Sequence, residues 1–276
     1  MPYVTKPELI AEFEDTMNYC KTEPVLIEAV KSTNARTKVY AVDFAEEADV
    51  KKGGRVRVER GRTFEKAIAL HEEFPGKRIA VLNFAASGTP GGGVKKGSYA
   101  QEESLCRCSS LYPSLRTYEA TEGFYNYHRD NCGWKASDTC IYSPDVVIVR
   151  DDSDLLCDRL RPEEFVKVDV VTCAAPHVFR DVVVSDEELF RMHVSRARNI
   201  LRVAAYNGAD IFVGGAFGCG AFHNPPEVVA GAWHEAMKVY GGKFDLIDFV
   251  IYVSDFPAKR ESGENNLQAF RNEFAK

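Results

Sequence analysis

Apolar residues recur with two different periods along the chain. In residues 7–21, Leu9, Ile10, Phe13, Met17 and Cys20 share one side of a 3.6-residue helix that has Pro7 in its first turn. Residues 25–30 and 38–44 are short apolar runs that predict strands, and Val56 and Val58, alternating with Arg55, Arg57 and Glu59, predict a half-exposed one. Thr63 reads as the N-cap of a helix reaching about Phe74, with Phe64, Ala67, Ile68 and His71 at helical spacing. Residues 79–84, 146–150 and 168–174 are near-continuous apolar runs, as expected of strands buried on both faces. Residues 185–207 predict a long helix with Leu189, Phe190, Val194, Ala197, Leu201 and Ala204 inward and Gly208 as its stop. A strand at 211–213 precedes a helix that Asn224 would cap, with Pro225 and Pro226 in its first turn and Glu227 at the capping-box position. A last strand at 244–253 and a closing helix at 266–274 complete the pattern. Alternation of strands and helices predicts an α/β fold with a largely parallel sheet covered on both faces. Residues 1–62 carry no catalytic pattern and read as an N-terminal accessory segment packed on a core of residues 63–276.

The stretch IAVLNFAASGTPGGGVKKGSYAQEESLCRCSSLY, residues 79–112, breaks this regularity. A buried strand enters a loop holding Gly91, Gly92 and Gly93, whose ordering costs more backbone entropy than that of any other residue type. Close approach of backbone N–H groups to an anion compensates such a cost, and a helix following the loop adds its positive end. Seven residues later Gln101, Glu102 and Glu103 open a helical segment in which Leu105, Cys108 and Leu111 or Tyr112 are at helical spacing, with Pro113 near its stop. Paired acids in a first turn either complement the helix dipole or serve chemistry beside the loop. A second glycine-dense loop, residues 214–220, follows the strand at 211–213. Two such loops at the carboxyl ends of strands suit a nucleotide diphosphate. Residues 112–134 have no period and read as a long loop whose Tyr118, Phe124, Tyr125 and Tyr127 either stack on a ligand or anchor the loop. Lys95 and Lys96 either attract an anion at the rim or form a solvated crest. Cys219 has no His or Asn partner for nucleophilic work and reads as small-residue packing.

Composition narrows the function. Hydrophobic residues at 45% and charged residues at 28% exclude disorder, and a net charge of −6 argues against a general nucleic-acid binder. Eight cysteines without CxxC pairs argue against a zinc site, and no stretch has the roughly 20 apolar residues of a membrane span. The expectation is a cytoplasmic chain with reduced thiols, no cofactor and no metal.

Three glycines, seven residues and then QEE resembles the signature of poly(ADP-ribose) glycohydrolases, and VLNFAASGTPGGG, AQEESLCRCSSLYPSL, IYSPDVVIVRDD, GGAFGCGAFHNPPEVV and NLQAFRNEF resemble their bacterial-type members in order. One departure is Thr89, where the family pattern has Asn. The resemblance implies a macrodomain-like three-layer α/β/α fold with a mixed, largely parallel central sheet, hydrolysing ribose–ribose O-glycosidic bonds to release ADP-ribose from chain ends. It makes Glu103 the acid and later the base, and Glu102 the holder of the ribose hydroxyls. Substrate contacts fall by the same resemblance on Asn83, Gly91, Gly92, Gly93 and Gln101, and on Gly215, Phe217, Gly218, Cys219, Gly220, Ala221 and Phe222 in the diphosphate loop, with Phe222 against the adenine-linked ribose. The implied partners are poly(ADP-ribose) or an ADP-ribosylated protein, with ADP-ribose as product and neither general nucleic-acid nor membrane binding. Glycoside cleavage needs one carboxyl protonated near neutral pH, and burial beside a second carboxylate shifts a Glu in that direction. A non-catalytic ADP-ribose reader and a hydrolase of mono-ADP-ribosyl linkages remain the alternatives.

Overall fold

A computed structural model of the protein describes residues 4–41, 54–179, 181–255 and 257–275. Among the described residues seven strands form one sheet in the order β1-β4-β5-β3-β6-β7-β2: β1 (Lys38–Tyr40), β2 (Arg55–Arg60), β3 (Ile79–Phe84), β4 (Cys140–Ile148), β5 (Val166–Cys173), β6 (Ile211–Gly214) and β7 (Leu246–Ile251). The pairs from β5 through to β2 are parallel, and β1 and β4 run antiparallel at one side, so the sheet is mixed and largely parallel. Both edge strands, β1 and β2, come from the first 62 residues. The expected strand at 38–44 ends at Tyr40 in the described part, and its end lies outside the described residues.

Alternation along the central strands fills two layers. Ala80 and Leu82 of β3 face a core shared with α8 (Asp186–Tyr206), α9 (Pro226–Tyr240) and α10 (Pro257–Phe274). Ile79 and Val81 face the other, built with α1 (Lys6–Thr22), α3 (Thr63–Glu73) and α4 (Gln101–Cys108). Asn83 follows Val81 in phase and meets α4, whereas Phe84 follows Leu82 and meets Phe217. A Thr5–Glu8 capping box starts α1, with Pro7 in its first turn. Among the described residues no helix is long and apolar enough to cross a membrane.

Several elements differ from their sequence patterns for identifiable reasons. Residues 25–30 are not a strand but lie in helix α2 (Pro24–Arg36). Pro24 starts it where no N–H is needed, and the apolar run is not doubly buried, since Val25 is 53% and Ile27 41% exposed. Thr63 is not an N-cap: Arg62 holds that position and the Asp152 carboxylate accepts the Phe64 amide at 3.2 Å. Nor does the helix at 101 run on toward Pro113. It ends at Cys108, Ser109 turns extended to bridge Ile148, and α5 (Leu111–Ser114) begins afresh with Pro113 inside it. Residues 112–134 are helical rather than a loop, through α6 (Tyr118–Ala120), a π-helical turn (Thr121–Asn126) and α7 (Tyr127–Asn131). Phe124 and Tyr125 are buried there as core, while Tyr118 and Tyr127 are exposed. Asn224 does not cap α9; Pro225 does, without a side-chain bond. The last helix starts at Pro257, nine residues before the expected 266, and the last strand is trimmed to Leu246–Ile251.

Candidate active site

Three loops leave the neighbouring parallel strands β5, β3 and β6 on one edge of the sheet, where open α/β sheets place ligands. The loop after β3 carries the glycine triplet. Gly91 and Gly92 have φ of +68° and +56°, the left-handed region that glycine enters without strain. A Cβ on Gly91 would strike the Tyr112 ring at 2.8 Å, and one on Gly92 would lie 2.5 Å from Glu103 Oε1 and 2.9 Å from Glu102 Oε2. A Cβ on Gly93 would lie closer still to Ser98. The two carboxyl groups therefore meet against bare backbone at Gly92. Thr89 acts through its carbonyl, which accepts the Gly92 amide at 3.0 Å and closes the turn.

Helix α4 presents the carboxyl groups in its first turn and is locked to its surroundings at three positions. Gln101 reads the end of β3 as a strand would, accepting the Phe84 amide at 2.9 Å and donating to the Leu82 carbonyl at 2.7 Å and to Thr63 at 3.1 Å. Its carboxamide is fully engaged by the fold. Ser104 donates to Asp152 at 2.6 Å, and Arg62 bonds to both. Arg107, fully buried, donates to the Ser98 carbonyl at 2.8 Å and pairs with Glu12 of α1 at 3.2 Å, while Thr16 donates to the Arg107 carbonyl at 2.5 Å.

The two acids are held differently. Glu102 accepts from the Ala86 amide at 2.8 Å and from Asn83 Nδ2 at 3.3 Å, so both of its oxygens are occupied. Burial, reinforced by the charge of Glu103, pushes its pKa up to about 8 against the pull of those bonds. The carboxyl that retains a proton near neutrality is thus found at Glu102. Glu103 accepts from the Gly93 amide at 2.8 Å through Oε1, and its Oε2 takes no hydrogen bond among the described residues. Asn83 donates also to Thr172 at 3.2 Å, leaving its buried Oδ1 unpartnered.

The loop after β6 faces this one. Gly215 lies so close to the Val250 carbonyl and the Phe84 ring that a Cβ would clash at 2.7 and 3.0 Å. Gly218, at φ +81°, packs on Ala175 and Asn224. Phe217 is buried, edge-on to Phe84 with ring centroids 5.6 Å apart. Cys219 is buried as well, and burial pushes its thiol far up, consistent with packing and not attack. Gly220 and Ala221 form the exposed crest, and nothing lies within 4 Å of where a Gly220 Cβ would be. Asn224 fastens the loop, donating to the carbonyls of Pro176 at 2.8 Å and Gly218 at 3.0 Å and bonding His193 at 2.9 Å. Phe222 stacks on His177 at 4.3 Å and 10°, and His177 contacts Phe179, so the loop after β5 contributes an aromatic wall.

Sequence reasoning brought the glycine triplet, Asn83, the two acids and the second loop to one edge. It missed Asp152, Arg62, Glu12, His177 and Phe179. The Arg-Asp-Asp of residues 150–152, which closes the apolar run from 146, was the available signal for Asp152; His177 and Phe179 had none.

The family described as the microbial-type PARG catalytic domain matches residues 10–151. The chain is similar to the crystal structure of poly(ADP-ribose) glycohydrolase from Thermomonospora curvata, with 29% identity and a TM-score of 0.82 over 97% of this chain and 100% of that one. The same enzyme bound to the inhibitor ADP-HPD superposes with a TM-score of 0.79 at 29% identity over 97% and 100% of the chains. The Deinococcus radiodurans enzyme in complex with ADP-ribose is 31% identical, with a TM-score of 0.75 over 89% of this chain and 96% of that one. No curated protein matches the chain.

Proposed function

The chain belongs to the microbial-type poly(ADP-ribose) glycohydrolases, and on that premise we propose that Glu103 and Glu102 split the work of cleaving the ribose–ribose bond at the end of a poly(ADP-ribose) chain. The observation that carries this division is the unequal holding of the two carboxyl groups: both Glu102 oxygens are bonded, whereas Glu103 keeps Oε2 open.

Glu102, fixed by Asn83 and the Ala86 amide, orients the ribose hydroxyls, and the unpartnered Asn83 Oδ1 offers them an acceptor. Glu102 keeps a proton near neutral pH and passes it to Glu103, which it meets at Gly92. Glu103 delivers that proton to the leaving 2′-oxygen as the glycosidic C–O bond breaks and its electron pair moves to that oxygen. Water then adds to the oxocarbenium-like carbon and returns a proton to Glu103. The amides of the two glycine loops hold the diphosphate, and Phe222 packs on the adenine-linked ribose. This reading explains why two acids are buried together, which a non-catalytic reader would not need. ADP-ribose, bound in the Deinococcus structure, is the expected product.

Glu103→Gln preserves the side chain's shape and removes its capacity to give and take a proton. The variant is expected to bind ADP-ribose in calorimetry as the wild type does, and to release it from automodified poly(ADP-ribosyl)ated protein about 10²–10⁴-fold more slowly. Equal rates for the two proteins would refute the role of Glu103.

A further inference from the structure

Outside the catalytic crevice, α1 and the turn after the glycine triplet border a groove of ≈ 560 Å³, within the range of small-ligand sites. Ile10, Phe13 and Met17 give it an apolar floor, and Lys21 and Lys95 give it cations. Ile10, Met17 and Lys21 follow one stripe of α1, and eleven residues of helix span about 16 Å, close to the reach of one ADP-ribose unit. Lys95 ties this groove to the chemistry: it stands two residues after Gly93, whose amide holds Glu103. Lys95 Nζ also lies 5.5 Å over the ring of Tyr112, the ring that packs on Gly91 and meets Phe13 edge-on at 5.0 Å. Arg116 lies over the same ring at 5.8 Å. Against these cations the lining has one carboxylate, Glu14. Neither Lys21 nor Lys95 has an ion-pair partner among the described residues.

Resting on the glycohydrolase reading above, we propose that this groove is a subsite for the polymer on the leaving side of the scissile bond. It would take the nucleoside diphosphate of the next unit, with Lys21 and Lys95 on the phosphates and Ile10 and Met17 beneath the adenine. Apolar floor and cationic rim match the two halves of that unit, whereas an acidic protein segment would need the cations alone.

The test compares two substrates: free poly(ADP-ribose) and 4-nitrophenyl ADP-ribose, which has the same ADP-ribosyl group but no second nucleotide. Lys21→Glu changes an exposed residue in the last turn of α1. It is expected to lower kcat/KM on the polymer about five-fold, as an electrostatic contact at a rim does, and less so at high salt. Cleavage of the nitrophenyl substrate should stay within two-fold of wild type, Lys21→Arg should restore the polymer rate, and Ile10→Glu should repeat the loss. Equal losses on both substrates, or no loss on either, overturn the subsite. A loss seen with protein-attached chains but not with free polymer assigns the groove to the acceptor protein and overturns the polymer assignment. Failure of the wild type on both substrates instead refutes the glycohydrolase reading, and the subsite falls with it.

Discussion

Gly92 occupies a left-handed backbone position, and its missing side chain leaves the space in which two carboxyl groups come together. Gly92→Ala would impose about 1–3 kcal/mol of backbone strain and insert a methyl against both Glu102 and Glu103. The expected outcome is a lower melting temperature together with loss of most glycohydrolase activity; a variant with wild-type kcat/KM would show that the carboxyl groups need not meet there. Glu102 gives a second outcome at this scale. Because its pKa is about 8, the proton needed for leaving-group departure is lost as the pH rises through that value. The kcat/KM profile should therefore fall on an alkaline limb centred near pH 8, and a flat profile to pH 9.5 would contradict a proton supplied by Glu102. The sequence showed the paired acids and the triplet as text. It could not show which acid is doubly bonded, since Asn83 and Ala86 act on Glu102 from another strand and loop.

The catalytic helix α4 spans only Gln101–Cys108 and buries nearly all of its length, so its position depends on what grips it. Gln101 grips β3, Ser104 grips Asp152, and Arg107 is buried against Glu12 of α1. Glu12→Ala would leave the Arg107 guanidinium buried without its counter-charge, which costs on the order of 3–5 kcal/mol. Urea unfolding should report a loss of that size, with activity falling further as α4 loosens, and a loss under 1 kcal/mol would mean that α1 is not the clamp. Helices α1 and α8 were legible because their apolar stripes are long and their starts carry Thr5 and Ser185 caps. Helix α2 was not: Val25, Leu26, Ile27 and Val30 mimic a strand, although Pro24 marks a helix start. The end of α4 was equally hidden, because what stops it is the pairing of Ser109 with Ile148, 39 residues away. Asn224 looked like a cap since its neighbours are prolines, yet its amide is spent on carbonyls of its own loop and of the loop after β5.

Across the whole molecule, buried groups pull stability with pH in opposing directions: raised carboxyl groups lose their contribution as the pH rises, and lowered histidines, His193 above all, gain theirs. Glu102 is raised to about 8, and Asp248 of β7 to about 6, chiefly by burial and then by the charge of Glu59. Asp248 carries no hydrogen bond on either oxygen among the described residues. A raised carboxyl binds its proton more tightly in the folded state, so its contribution is full below the unfolded value near 4 and is lost as the pH rises through the folded one. Asp248 contributes a fall in stability as the pH rises from about 4 to about 6, and Asp248→Asn should remove that fall from thermal melts, raising stability at pH 8 by about 1–2 kcal/mol. An unchanged slope in that variant would clear Asp248 of the effect. The same strand has a further consequence through its partner. Strand β2 lies at the edge of the sheet, where β7 is its one partner among the described residues, joining residues 55–60 to residues 246–251. During synthesis the earlier segment must wait, unpaired, while some 190 residues emerge from the ribosome, about 10–40 s at ordinary elongation rates. A nascent chain of this protein is accordingly exposed at that seam for most of its translation, and its sheet closes only when the last strand arrives.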